Sequence, residues 1–494
     1  MNLTAAQLDR ACGVLLGSAV GDALGAGYEF DAAPYDGWPA MVGGGLGGFA
    51  PGEWTDDTAQ AMAIARVAAT GADLRTTEAL DAIAQGFADW FAGGPADVGI
   101  QTSQVLRLAG PNPSAASMSA AAEAVHRRTG RSAGNGSLMR TAPVALAHLD
   151  DPAALVEAAM KVSALTHYQG IAREGAALWC LMIRRTVLEG ALPDARRSVN
   201  ELEKILGRAG ATDWRALLEQ AETKPPKEFS QNGWVVGALQ AAWSAVVHTP
   251  VPDDFACRHL QEALATAIGI GHDTDTVAAI AGALLGARWG VSGIPSEWRS
   301  TLHGWPGLRA QDLVHLAQLT TRGGRPDRSG WPDAPRLDYR HMAGWDACVP
   351  HPHDDGVWIG GVGALDTLPE GVDAVVTLCR VGSEQVPTEL RGRHEVFRLI
   401  DTHDRDNPNV DFVIDDAARA LRRLREQGRT VLLHCVAGHS RTPTVAARYA
   451  VLRGVPLDAA LSEVVGSLPH ASPNSSFRAA LRRLDELDRR SGVE

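Results

Sequence analysis

Between Thr4 and about Gly271 the apolar residues recur at three- and four-residue intervals, in runs such as "TAAQLDRACGVLLGSAVGDALG", "DTAQAMAIARVAATG", "DPAALVEAAMKVSALT", "REGAALWCLMIRRTVLEG", "GWVVGALQAAWSAVVH" and "LQEALATAIGIG". That spacing, in segments rich in Ala and Leu, predicts helix after helix. Alternating strand patterns are almost absent there. Glycine-rich joints, "GGGLGGFAPGEW" and "RSAGNGSLMR", separate the helices and predict loops that carry ligand contacts. At "TTRGGRPDRSGWPDAPR", residues 320–336, Gly, Pro and Arg replace the periodic pattern and predict an exposed boundary. Beyond it short β-rich runs, "VWIGG", "DAVVTLC", "HEVFRLI" and "TVLLHC", alternate with helical stretches, "DFVIDDAARALRRLREQG" and "TPTVAARYAVLRG". The expected organisation is an all-α domain over residues 1–320, a linker at 321–336, and a smaller α/β domain over 337–494.

Length supports more than one core, since 494 residues exceed what a single core usually organises. A net charge of −12 argues against a general nucleic-acid or anionic-membrane binder, so an anionic ligand must be met by a local site. The six cysteines are scattered, with no C-x-x-C pair, which indicates neither a disulfide framework nor a zinc site and fits a reducing cytoplasm. The N-terminus lacks a basic leader, Asp22 interrupts its apolar segment, and the apolar runs read as too short to span a bilayer; no export signal or anchor is expected.

The chemistry concentrates in two places. In the helical part, "EWTDDT" (Thr55, Asp56, Asp57) and "GHDTDT" (Asp273, Asp275, Thr276) each stand at a predicted helix start. Asp and Thr are the residues that cap helices, so capping explains each cluster alone. Convergence of the two would instead make an oxygen-rich site of the kind that hard cations prefer.

These clusters sit within an ordered series, "GVLLGSAVGDALGAGYE", "EWTDDT", "DVGIQT", "GNGSLMR", "THYQG", "NGWVVGALQAAW" and "GHDTDTVAAIAGALLGA". Over roughly residues 8–300 the series resembles the ADP-ribosylglycohydrolase family, which includes the dinitrogenase-reductase-activating glycohydrolases. The resemblance implies an all-α fold that holds two Mg²⁺ (or Mn²⁺) ions and cleaves ADP-ribose from a modified side chain. By position it implies Thr55, Asp56, Asp57, Asp273, Asp275 and Thr276 as metal ligands and Glu29 as the family's mobile acidic residue beside them. Where the family usually reads G-G-D-T-D, this chain has Gly271-His272-Asp273.

Cleavage at an anomeric carbon passes through an oxocarbenium-like state and needs ribose positioning, leaving-group assistance and an activated water. Asp97, in "DVGIQT", matches an acidic residue near the leaving group and is a candidate base, with a surface cap as the alternative. The Gly134-Asn135-Gly136-Ser137 turn suits a pyrophosphate, because glycines let backbone N–H groups approach oxygens; a plain tight turn is the alternative. His167, in "THYQG", matches a position over the nucleotide, although a lone histidine also serves as a packed or capping residue.

The second place is "VLLHCVAGHSRTPT", residues 431–444. A β-like run ends at His434-Cys435, the loop Val436, Ala437, Gly438, His439, Ser440 follows, and Arg441-Thr442-Pro443 opens a helix with Pro in its favoured first turn. Such a loop cradles a phosphate: backbone N–H groups and the positive helix end bind phosphoryl oxygens and favour the thiolate, while an arginine grips the same group in bidentate fashion. Over roughly residues 340–490 this part resembles the dual-specificity branch of the protein tyrosine phosphatases. The resemblance implies Cys435 as nucleophile, the Thr442 hydroxyl as assisting breakdown of a cysteinyl-phosphate, and an aspartic acid upstream as general acid. Asp404 aligns best, Asp401 is the runner-up and Asp406 is a third candidate; His439 shapes the substrate.

Two functions therefore stand side by side. One is a bifunctional hydrolase that removes ADP-ribose from a protein or small molecule and phosphate from a phosphorylated substrate. The other is a glycohydrolase whose phosphatase-like domain docks phospho-substrates. No membrane partner is expected, and nucleic acid is the less favoured acceptor.

Overall fold

The structure is a computed structural model that describes residues 2–207, 212–402 and 406–491. The chain divides into two units, one formed by Met1–Val251, Arg258–Ile294 and Thr301–Arg325, the other by Pro252–Cys257, Pro295–Ser300 and Pro326–Glu494.

The first unit is helical, as the periodicity predicts, apart from a two-stranded ribbon, His303–Gly304 with Leu308–Arg309. Three helices carry the acidic residues: α1 (Ala5–Gly25), α2 (Asp56–Ala68) and α3 (Thr274–Trp289). Thr4 caps α1 in a box with Gln7, which fixes where the helix begins. From Asp9 onward nearly all of α1 is buried, and so is nearly all of α3, hence neither shows a strong polar face. Against the sequence expectation, the stretch Ala5–Asp31 is long and apolar enough to cross a membrane by length and composition, and its apolar window lies wholly inside this unit.

What brings α1 and α3 together is a glycine at every fourth position. Gly13, Gly17, Gly21 and Gly25 form one stripe on α1, because a four-residue step nearly completes a turn. A Cβ at Gly13 would overlap the Gly286 carbonyl oxygen, at Gly17 that of Gly282, and at Gly21 that of Ala278. At Gly25 it would stand 2.5 Å from Cα of Asp275. The backbones therefore touch, and this contact carries Asp22 of α1 to the start of α3.

The second unit holds a five-stranded mixed sheet of β1 (Cys348–His351), β2 (Asp354–Gly360), β3 (Ala374–Thr377), β4 (His394–Val396) and β5 (Val431–His434), in the order β1-β2-β5-β3-β4. β1 runs antiparallel to β2 and the remaining pairs are parallel. β1 is not predicted by the alternation: its Pro350 is confined to the sheet edge, where a missing N–H costs no ladder bond. Helices α4 (Val410–Glu426), α5 (Arg441–Leu452) and α6 (Ser475–Ser491) bury apolar residues with β2, β3 and β5, among them Val357, Val376, Leu433, Leu421, Val445 and Leu481. The expected exposed boundary is partly packed: Trp331 is buried beneath the Arg380 guanidinium, 4.6 Å from its ring, and Asp327 pairs with the same arginine.

The glycine stripe sets a stability test. Gly17→Val should destabilise the protein by at least ~2 kcal/mol through overpacking, whereas Gly170→Ala, at an exposed position with open space, should lie within ~0.5 kcal/mol of wild type. Urea unfolding of both variants measures the difference, and equal stabilities would refute the backbone contact.

Candidate active sites

In the first unit α2 and α3 start beside each other. Thr55 caps α2, its Oγ1 accepting from Asp57 N, and also donates to Asp57 Oδ2 at 3.3 Å. Thr276 Oγ1, from the first turn of α3, donates to the same Oδ2 at 3.2 Å. Capping accounts for Thr55 but not for Asp273, whose carboxylate meets the Asn135 side chain, Nδ2 to Oδ2, at 2.7 Å. Carboxylate oxygens of Asp22, Asp57 and Asp275 lie within 4.8 Å of one another, as do those of Glu29, Asp273 and Asp275. Two triads thus share Asp275. Asp56 adjoins them, its Oδ2 accepting from Gln60 Nε2 at 2.9 Å and from Gly99 N at 3.4 Å.

Burial pushes the carboxyl groups of Asp22, Asp57, Asp273 and Asp275 above the usual carboxylate range. Burial also lifts Glu29 and Asp56 to about 8, with the neighbouring charges of Asp97, Asp273 and Asp22 adding to it. Half-buried Asp97 therefore belongs to this electrostatic cluster. Asp57 Oδ1 is buried and has no hydrogen-bond partner among the described residues. An orphaned carboxylate oxygen on a member of one of these triads of hard oxygen donors fits a divalent cation.

Asp22 is the residue that sequence reasoning missed. It lies in the quoted "GSAVGDALG", yet nothing in that apolar pattern shows its partners: Thr55 N at 3.0 Å, Thr58 N at 3.0 Å and Thr58 Oγ1 at 2.6 Å. Its carboxylate holds the first turn of α2 against α1. The backbone beside the site is strained. Phe30, Asp31 and His272 adopt positive φ values of 46°, 61° and 62°, and Phe30 N donates to His272 O at 2.8 Å. His272 thus occupies a conformation that favours glycine.

The turn at Gly134–Ser137 lies against this cluster. Its backbone pairs with a second segment, Asn135 N to Gly233 O at 3.2 Å and Val235 N to Ala133 O at 3.1 Å. Asn232, also missed, clamps the start of α3 by donating to Gly271 O at 3.0 Å and accepting from Asp273 N at 3.3 Å. Ser137 turns inward, its Oγ accepting from Ser163 Oγ at 2.8 Å. The buried His167 ring faces the glycines, since a Cβ at Gly134 or Gly136 would stand 3.5 to 3.6 Å from it.

In the second unit β5 delivers Cys435, which is 1% exposed, and α5 begins at Arg441. The loop between them is fixed from outside. Val436 O accepts from Val362 N at 3.0 Å, His439 O from Ser472 N at 2.6 Å, and Ser440 Oγ from Asn474 N at 3.2 Å. Gly438 has φ +62°, and Ala437 bridges to Gly361. Arg441 donates from Nη1 to Leu378 O at 2.9 Å and to Leu399 O at 3.3 Å, and its buried Nε has no partner among the described residues. The Thr442 hydroxyl donates to Gly360 O at 3.1 Å, so its observed partner is the end of β2. Among the candidate acids, Asp404 lies outside the described residues. Asp401 accepts from Asn474 Nδ2 at 3.0 Å and is thereby joined to the loop through Ser440, a link the sequence did not signal. Asp406 accepts from Thr402 Oγ1 at 2.8 Å.

Residues 3–327 match the family model described as ADP-ribosylglycohydrolase. The chain belongs to the ADP-ribosylglycohydrolase family. It is 30% identical over 315 residues to the ADP-ribosyl-(dinitrogen reductase) glycohydrolase of Rhodospirillum rubrum, covering 60% of this chain and 90% of that protein. It is 29% identical over 310 residues to the ADP-ribosylarginine hydrolase Tri1 of Pseudomonas putida (strain GB-1), covering 59% of this chain and 73% of that one. Over 148 residues it is 28% identical to dual specificity protein phosphatase 1 of Arabidopsis thaliana, covering 29% of this chain and 71% of that one. The protein is accordingly a hydrolase of the ADP-ribosylglycohydrolase family that carries a dual-specificity-phosphatase-like segment.

The raised carboxyl groups predict a pH dependence for this glycohydrolase-family unit. Folding holds protons on Glu29 and Asp56 that the unfolded chain releases near pH ~4. Their contribution to stability is complete below that pH and is lost as pH rises through about 8. In chelator, urea unfolding should show stability falling between pH ~6 and ~8.5, and a divalent cation that the carboxylates can hold should flatten the fall. A metal-free protein that becomes more stable over that interval would contradict the arrangement.

Proposed function

We propose that the chain is a bifunctional hydrolase: a Mg²⁺-dependent glycohydrolase that removes ADP-ribose from a modified protein or small molecule, joined to a cysteine-dependent phosphatase. The observation that carries the first activity is the sharing of Asp275 by two carboxylate triads, one with Asp22 and Asp57 and one with Glu29 and Asp273, where Asp57 also has a buried oxygen without a hydrogen-bond partner among the described residues. In this reading Thr55, Asp56, Asp57, Asp273, Asp275 and Thr276 hold two ions, with Mn²⁺ as the substitute for Mg²⁺. Bound there, the cations would orient ribose oxygens and lower the pKa of water. Asn135 and Asn232 keep Asp273 aimed by hydrogen bonds to its side chain and backbone. Asp97 takes the proton of the attacking water, and the glycine turn binds the pyrophosphate. The cytoplasm is the proposed compartment, with the free cysteines in support.

For the second activity, Cys435 Sγ attacks phosphorus and the ester oxygen departs with a proton from an aspartic acid, Asp404 by sequence alignment. Water then cleaves the cysteinyl-phosphate. Two backbone carbonyls hold Arg441 Nη1, and among the described residues its Nε has no hydrogen-bond partner, which supports the reading of a guanidinium that grips an anion. A second reading, a phospho-substrate docking module, draws support from the Thr442 hydroxyl bonding to Gly360 O and from Asp401 bonding to Asn474.

The two chemistries should separate. EDTA should abolish ADP-ribose release and leave hydrolysis of p-nitrophenyl phosphate intact, whereas Cys435→Ser should abolish phosphate release and spare ADP-ribose release. Wild-type protein inactive on every phosphoprotein and aryl phosphate tried would favour the docking module. Asp275→Asn should reduce ADP-ribose release by at least ~100-fold and remove the Mg²⁺-dependent rise in melting temperature, because ligand loss leaves the other carboxylates uncompensated. A fully active Asp275→Asn enzyme would sink the metal assignment.

A further inference from the structure

A chain of buried side chains runs from the acidic cluster to the glycine turn. Gln60, Arg140 and Thr166 are each 0% exposed and His167 is 1% exposed. Gln60 Nε2 donates to Asp56 Oδ2 at 2.9 Å, and Gln60 Oε1 accepts from Arg140 Nη1. Arg140 Nη2 reaches Thr166 Oγ1 at 2.6 Å, and Thr166 Oγ1 lies 2.8 Å from His167 Nδ1. The guanidinium stacks over Phe87 with Cζ 4.3 Å from the ring centroid, which fixes its plane.

The direction of every bond in this chain follows from what each group can do. A guanidinium only donates, so Thr166 Oγ1 must accept from Arg140. A hydroxyl has one proton, and among the described residues His167 Nδ1 is the remaining group within hydrogen-bond distance of Oγ1. A buried hydroxyl proton left without an acceptor is strongly unfavourable. The Thr166 proton therefore goes to Nδ1, which must be bare, and the imidazole proton is confined to Nε2. Among the described residues no acceptor meets Nε2, and that edge of the ring faces Gly134 and Gly136.

We infer that Arg140 and Thr166 are positioning residues that hold His167 as its Nε2–H tautomer, making a neutral imidazole that donates a hydrogen bond to a phosphoryl oxygen of ADP-ribose seated on the Gly134–Ser137 turn. Neutrality has a separate support, because burial and the Arg140 charge hold the imidazole well below its ordinary range. A fixed neutral donor suits this place. It meets an anionic oxygen without adding a second buried cation beside Arg140, and it costs no tautomer change on binding. The ligand named here rests on the glycohydrolase reading, whereas the tautomer does not.

The test uses the full-length protein labelled with ¹⁵N-histidine, with the His167 ring signals identified by their loss in His167→Gln. Two-bond ¹H–¹⁵N spectra of the ligand-free wild type should show the proton on Nε2; a proton on Nδ1 overturns the inference without any variant having to fold. Thr166→Val removes the hydroxyl at nearly constant volume. It should release the tautomer preference and weaken ADP-ribose binding about tenfold by calorimetry, and Thr166→Ser should restore both. Unchanged ADP-ribose affinity in Thr166→Val, despite an altered tautomer, would overturn the donor assignment. Wild-type protein that shows the Nε2–H tautomer but binds no ADP-ribose would overturn the ligand and the glycohydrolase reading together, leaving the positioning by Arg140 and Thr166 established.

Discussion

The contact on which the first unit depends is the backbone-to-backbone approach of α1 and α3 along Gly13, Gly17, Gly21 and Gly25. Side chains of ordinary size would hold two helix axes 8–10 Å apart. Glycine removes that spacer, and at Gly25 the approach brings the α1 backbone to Asp275 itself. Asp22, one turn earlier on α1, then reaches the first turn of α2 and bonds Thr55 and Thr58. Three chain segments far apart in sequence are thus locked at one point by a steric constraint, before any charge is considered.

That geometry creates the electrostatic problem that the site's chemistry must answer. Six carboxylates, Asp22, Glu29, Asp56, Asp57, Asp273 and Asp275, stand together with their charged forms disfavoured by burial. Arg140 is a nearby cation, but it reaches Asp56 only through Gln60 and turns its other donor to Thr166. Its bonds serve orientation more than neutralisation. The remaining negative charge calls for a cation held by oxygens, while the strained Phe30–His272 backbone pair keeps Glu29 and Asp273 facing each other.

The second unit solves a different problem with different means. Parallel strands deliver Cys435 at the end of β5, and the loop to α5 is braced by β2, by Ser472 and by Asn474. Arg441, at the start of α5, is held in turn by the carbonyls of Leu378 and Leu399. The same end of β2 that supports the cradle also receives the Thr442 hydroxyl.

The sequence by itself determined the class of each part. Three- and four-residue spacing located α1 and α2, the Asp-Thr cluster marked the start of α3, and short β-rich runs located β2 to β5. Motif order and the Cys435-to-Arg441 spacing pointed to both sites, since catalytic groups on one loop or one helix start are neighbours in sequence as well as in space. What only the tertiary structure decided were the partnerships across elements: Asp22 with Thr55 and Thr58, Asn232 with Asp273, Arg140 with Thr166, and Asn474 with Asp401. A buried Asp in an apolar helix, or an Asn before a Gly, has no local signature of its partner. The edge strand β1 escaped notice for a related reason, because its Pro350 is acceptable only once its neighbour on one side alone is known. Periodicity reports which face of an element is buried; which groups meet there depends on how closely two backbones approach, and here glycines set that distance.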